Sequence, residues 1–269
     1  MKRIIIYTFI SILSFVAFAQ DSIPTGRPTN DTQTVENIQT PSVQLGDSAY
    51  AKADYATAIA IYESVIADGN EAASLYYNLG NAYFKSDELA KAIINYERAL
   101  LLDPSDSDVR FNLEFARSKT VDKVSEVYTI FFVRWIEALM NIMPMDAWCI
   151  WGIVTFVLLL SAILFLLFSR SIAVRKVAFV LSLILLVITI FSNASAYIQY
   201  TKISSADNAI IIVPAVTAKS TPDESGTNLF VIHEGCKVKI TDDSMSGWKE
   251  IELEDGTIGW LPTNSLERI

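Results

Sequence analysis

Residues 148–191 read WCIWGIVTFVLLLSAILFLLFSRSIAVRKVAFVLSLILLVITIF. Two apolar runs in this stretch, Trp148–Phe168 and Val177–Phe191, contain no charged residue, and the turn between them, Ser169–Lys176, carries Arg170, Arg175 and Lys176. At 1.5 Å per helical residue the first run extends about 31 Å, the thickness of a bilayer's hydrocarbon core. The second reaches similar length when Asn193–Tyr197 form its interfacial end. A helix satisfies its backbone polar groups internally, so the pattern predicts a transmembrane hairpin with spans at 148–168 and 177–197 and a basic loop at 169–176. Basic loops stay in the cytoplasm, which sends both flanking regions to the opposite side. Polar groups in the spans are uncharged, such as Thr155, Ser161, Ser182 and Thr189, and an ion or proton pathway would need an ionisable one.

The N-terminus predicts the same topology. Lys2 and Arg3 precede an apolar stretch, Ile4–Phe18, that ends in Ala17-Phe18-Ala19 before Gln20. Basic region, apolar core and small residues two apart describe a secretory signal peptide over 1–19, with an uncleaved signal anchor as the alternative. Either one exports the domain C-terminal to it. Residues 20–42 are rich in Thr, Asn, Gln, Pro and Asp, too poor in apolar surface to offset their ordering entropy, and read as a disordered tether.

Composition narrows the function classes. The formal charge of −9 argues against a nucleic-acid partner, which needs a concentrated basic face. The 52% hydrophobic content over 269 residues reflects the spans rather than one large core. Cys149 and Cys236 lie in unrelated surroundings and read as small apolar side chains rather than a disulfide. The lone histidine, His233, lacks a second His or Cys for a conventional metal cluster and reads as an ordinary strand residue. No nucleophile–base pair, phosphate loop or isolated carboxylate dyad stands out, so the sequence predicts a non-enzyme without a cofactor.

From Val43 the chain repeats itself every 34 residues. The second copy reads Tyr76, Leu79-Gly80, Tyr83, Ala92, Tyr96, Ala99 and Pro104, the spacing of a tetratricopeptide (TPR) repeat. The first copy offers Leu45-Gly46, Ala58 and Tyr62 but has Ala49, Val65 and Asn70 where Tyr83, Ala99 and Pro104 stand later. A partial third copy, with Phe111-Asn112-Leu113, supplies a capping helix within Asp108–Lys119. Gly80 and Ala92 let two helices approach, Tyr83 and Tyr96 fill the space beside them, and Pro104 helps stop the second helix. The expectation over 43–119 is an α-helical TPR superhelix with a concave surface for a partner, to which Asn78, Asn81 and Lys85 contribute. A helical bundle of coincidental spacing is the competing reading.

Residues 120–147 form a linker containing an amphipathic segment, Tyr128–Pro144. There Tyr128, Phe131, Phe132, Trp135, Ile136, Leu139, Met140 and Met143 recur at helical spacing. Beside Trp148 this predicts a helix lying in the membrane interface, with the core of the superhelix as the alternative. After a second linker, 198–208, residues 209–269 switch to short strands. Ala209–Ala218, Leu229–His233 and Val238–Ile240 come first. Gly247-Trp248 and Gly259-Trp260 then bracket Ile251-Glu252-Leu253, with Asp255-Gly256 as a hairpin turn. About five strands in about sixty residues suit a small all-β barrel. Trp248 and Trp260 are either a ligand platform, for a peptide or a cell-wall fragment, or core filling.

The strand order around Val216, Ala218, the Pro222–Thr227 loop, His233-Glu234-Gly235, Gly247-Trp248 and Gly259-Trp260-Leu261-Pro262 resembles a bacterial SH3-like domain. Signal peptide, TPR pair, two spans with a basic loop and an SH3-like C-terminus together resemble the TPR members of the Bat aerotolerance operon family, from Val43 to Ile269. The resemblance implies a bacterial inner-membrane protein whose two soluble modules are periplasmic. It also implies company: membrane-bound von Willebrand A-type Bat proteins and a MoxR-type ATPase. The expected function is a membrane-anchored scaffold, and the alternative is an envelope sensor or anchor whose SH3-like domain binds peptidoglycan.

Overall fold

The computed structural model describes residues 41–122, 131–205 and 207–269. The expected signal peptide, nearly all of the tether, and Tyr128 of the amphipathic segment lie outside these residues. Among the described residues five helices come first: α1 (Pro41–Ala51), α2 (Tyr55–Ala67), α3 (Ala73–Lys85), α4 (Leu89–Leu102) and α5 (Ser107–Arg117). Local chemistry sets their ends. The Asp54 side chain accepts the Thr57 amide at the start of α2, and the Asp106 side chain accepts the Asp108 and Val109 amides at the start of α5, satisfying donors that a helix N-terminus leaves free. The repeat shows in the backbone itself: Ala53 and Asp87, 34 positions apart, both turn with positive φ, 59° and 61°.

One apolar core runs through these helices, with Tyr62, Leu79, Tyr83, Ala92, Ile93, Tyr96, Ala99, Val109 and Leu113 all buried. A Cβ on Gly80 would sit 2.8 Å from the Tyr96 ring and 3.3 Å from the Ala92 carbonyl oxygen, so only glycine lets α3 meet α4 this closely. The first copy folds as a helix pair despite its departures, with Tyr62 filling the space over Gly46.

Three further helices complete the helical part: α6 (Phe131–Met140), α7 (Met145–Phe168) and α8 (Ile172–Ser205). The last two are long and apolar enough to cross a bilayer. They pack as an antiparallel pair along a narrow seam of Leu159, Ala162 and Leu185, extended by a 3.0 Å hydrogen bond from Thr189 to Thr155. Gly152 faces Asn193, and Trp148 meets Phe191 edge to face. Most other apolar side chains of the pair point outward. The basic turn is shorter than its sequence pattern suggests, because α8 begins at Ile172 and takes in Arg175 and Lys176. The stretch 198–205, expected as linker, continues α8: no glycine or proline interrupts it. The Gln199 amide there donates to the Met140 and Met143 carbonyls, at 2.7 and 3.0 Å.

The C-terminal region is a seven-stranded antiparallel sheet: β1 (Asn208–Ile211), β2 (Ala215–Lys219), β3 (Asn228–His233), β4 (Lys237–Asp242), β5 (Trp248–Glu252), β6 (Ile258–Pro262) and β7 (Leu266–Arg268). Its order is β3-β2-β6-β5-β4-β1-β7, which leaves β3 and β7 at the two ends, with no pairing between them to close a barrel among the described residues. The expected single strand over Ala209–Ala218 is two, parted at Val213-Pro214, since proline donates no ladder hydrogen bond. The core of the sheet is Ala209, Ile211, Ala218, Ile232, Val238, Ile251 and Leu261.

Sheet and repeats are packed together. Ile210 points away from the sheet core, is fully buried, and belongs to the core of the helical repeats; Ile269 packs against the same core. Gly235, at φ +83°, sits where a Cβ would strike Thr120 and Ile93. Polar contacts ring this apolar centre. Glu97, nearly buried, accepts from Arg117 on one oxygen and from Lys237 at 2.8 Å on the other. Arg98 reaches Glu267 at 3.0 Å and the Arg268 carbonyl at 2.8 Å. The Asp122 carboxylate takes the His233 amide and lies 2.9 Å from its ring nitrogen. Glu234 accepts the Ala90 amide.

Candidate functional site

The face that α1, α3 and α5 share is organised by a ladder of polar side chains repeated every 34 residues. Asn78 of α3 donates to Asp47 of α1 at 3.2 Å, and Asn112 of α5 donates to Asn81 of α3 at 2.9 Å. Each acceptor also takes a tyrosine hydroxyl from the following helix: Tyr62 to Asp47 at 2.6 Å and Tyr96 to Asn81 at 2.7 Å. Burial, reinforced for Tyr62 by the Asp47 carboxylate, holds both phenols well above the ordinary range, so they act as permanent donors. A second pair repeats beside the ladder. Tyr83 donates to Glu63, and Arg117, 34 residues on, donates to Glu97.

Of the residues expected to line a partner surface, Asn78 and Asn81 therefore spend hydrogen-bonding capacity on joining neighbouring helices. Lys85 is exposed at the end of α3, and Ser74, Asn78, Asn81 and Lys85 recur at helical spacing along one face. Among the described residues the hydrogen bonds and ion pairs to the sheet come from α4 and from Asp122 after α5, and none comes from this face of α3. Asp47, Asn112 and Tyr77, whose hydroxyl accepts from Asn112 at 3.1 Å, are members of the ladder that the sequence reading did not place on the partner surface. The period itself was the available signal, since Asp47 aligns with Asn81 and Asn78 with Asn112. The structural residues of the repeat, Gly80, Tyr83, Ala92, Tyr96 and Ala99, are buried, and Pro104 is half-buried between α4 and α5.

On the sheet, Trp248 stands opposite Pro262, Glu250 opposite Trp260, and Glu252 opposite Ile258. Side chains alternate across a strand, so these six share one face, while Ile251 and Leu261 fill the core on the other. Trp248 and Trp260 are diagonal neighbours there, both half-buried. Thr241 donates to Glu250 between them at 2.8 Å. No three His, Cys, Asp or Glu gather into a metal-ligating group among the described residues.

Residues 73–106 match the tetratricopeptide repeat family, spanning α3, α4 and the turn to α5. No curated protein matches the chain. The matched repeat is a protein–protein interaction module and a non-catalytic fold.

Proposed function

We propose that the chain is a non-enzymatic membrane-anchored scaffold. In this reading α7 and α8 cross the bacterial inner membrane, and the repeats and the sheet stand together on its periplasmic side. The observation that carries the proposal is the pairing of a TPR module, whose α3 face makes none of the described polar contacts to the sheet, with a hairpin whose apolar surface is unsatisfied in water. Only 22% and 17% of the apolar windows of α7 and α8 are buried within the protein, whereas the core helix of a water-soluble domain would be mostly covered. Anchoring confines the repeats to a thin layer and raises their effective concentration toward other membrane proteins. The resemblance to the Bat family supports von Willebrand A-type membrane proteins as those partners, in a complex serving aerotolerance, and an SH3-like character for the sheet.

The test is a photo-crosslinker at Ser74 in the full-length protein, activated in native membranes with and without Lys85→Glu. Adducts with von Willebrand A-type membrane proteins that fade in the Lys85→Glu variant support the scaffold. Adducts unchanged by that substitution, or none, overturn it.

A second reading rests on the paired tryptophans. Their shared outer face suits stacking on a sugar ring, and peptidoglycan binding would make the sheet an envelope anchor. Co-sedimentation of the full-length protein with insoluble peptidoglycan, lost in Trp260→Ala, supports this reading; equal sedimentation of both proteins removes it.

A further inference from the structure

We propose that a cavity at the junction of repeats, hairpin and sheet binds the phosphate of an anionic phospholipid headgroup; this rests on the reading that α7 and α8 span the membrane. The cavity holds about 320 Å³, at the small end of ligand pockets. The C-terminal half of α4, the start of α5, the end of α6 and the upper turns of α8 meet there with β1 and β4.

Its charge is opposite to that of the chain. Arg110, Lys202 and Lys237 line it against one carboxylate, Glu97, on a protein of net charge −9. Glu97 is already committed to Lys237 and Arg117. Among the described residues the Arg110 side chain makes one hydrogen bond, to the Pro104 carbonyl, and no ion pair, which leaves guanidinium donors over. Lys202 forms no ion pair among the described residues. Two cations are thus left unneutralised at one concave site, beside the apolar stems of Leu100 and Leu101. Such a site suits a phosphate attached to an apolar body.

Position selects the lipid as the source of that phosphate. On the continuous helix α8, Arg175 and Lys202 lie 27 residues apart, about 40 Å at 1.5 Å per residue, the thickness of a bilayer with its headgroups. With Arg175 and Lys176 at one headgroup layer, Lys202 reaches the other. Exposed Tyr197 and Tyr200, and Trp151 on α7, form the aromatic belt expected just inside that second layer. The cavity therefore opens where headgroups are.

The test is native mass spectrometry of the detergent-extracted full-length protein, titrated separately with phosphatidylglycerol, phosphatidylcholine and inorganic phosphate. Preferential retention of phosphatidylglycerol is expected, and Lys202→Gln or Arg110→Gln lowers it about fivefold each, the usual weight of one interfacial basic residue. Asn141→Lys, which adds a cation to the same lining, raises retention and covers the case in which a neutralised variant fails to fold. Equal retention of the two lipids, or retention insensitive to all three substitutions, overturns the proposal. So does inorganic phosphate that displaces the lipid at equal concentration, which would make the site one for a free anion. Alkaline carbonate extraction of the same membranes separates the two readings. Release of the protein defeats the membrane reading itself, whereas retained protein without lipid preference defeats the headgroup site alone.

Discussion

At the scale of single residues, the repeat is held by contacts in which small or polar side chains admit no substitute. In Gly80→Ala the new methyl meets the Tyr96 ring on one side and the Ala92 carbonyl on the other. Neither can move without displacing a helix, so the substitution should cost about 1–3 kcal/mol of stability and lower the thermal midpoint of the helical signal. Asn81→Ala removes the acceptor of two donors, Tyr96 and Asn112. The expected loss is again about 1–3 kcal/mol; weakened partner binding at unchanged midpoint would instead make Asn81 a contact residue. Cys236 offers a pH-linked check. Burial first, then the nearby Asp122 carboxylate, push its thiol up to about 11, above the ordinary value of about 8.5. The unfolded chain releases that proton first, so the thiol's contribution is intact below about pH 8.5 and is lost as pH climbs toward 11. Alkylation of Cys236 at neutral pH should be far slower in the native protein than in denaturant, and equal rates would refute its burial.

At the scale of elements, α4 is the shared wall of two modules. One side closes the core of the repeats, and the other receives Ile210, Lys237 and Glu267 of the sheet. Glu97 is the member whose loss should be felt most, because its side chain is 10% exposed and two cations converge on it. Glu97→Ala leaves Arg117 and Lys237 facing each other across a cavity. It should loosen the junction by about 1–3 kcal/mol, the penalty of unpaired and partly buried polar groups. Hydrogen exchange should rise in β4 and at the end of α5 while the amides of α7 and α8 stay protected. Uniform protection throughout would show the sheet held by its apolar contacts alone.

At the scale of the whole molecule, the helix pair α7–α8 places its basic turn at one end and the sheet at the other. In the proposed topology, with Cys149 and Cys236 replaced by serine, a membrane-impermeant maleimide added outside the inner membrane should label Lys85→Cys and Ser225→Cys. It should label Ser171→Cys only after the membrane is opened. Labelling of all three from one side would overturn the topology. α8 is a single helix from Ile172 to Ser205, so the hairpin continues unbroken toward the start of β1 at Asn208.

The sequence by itself determined what depends on neighbours along the chain. The 34-residue period placed α3, α4 and their close approach at Gly80 and Ala92, because helix packing within a repeat is local and demands the same small and aromatic residues at fixed spacing. Hydropathy alone found α7 and α8, since about twenty apolar residues in a row admit few other folds. Turn chemistry at Asp255-Gly256 found the β5–β6 hairpin. Only the tertiary structure decided the strand order, the pairing of β1 with β7, and the face on which Trp248 and Trp260 stand. It also showed that Ile210 belongs to the core of the repeats. These are pairings between distant positions, Glu97 with Lys237 lying 140 residues apart, and nothing in either local sequence specifies the partner. Such contacts arise when two apolar faces, each legible alone, find that burying one another is the way left to leave water.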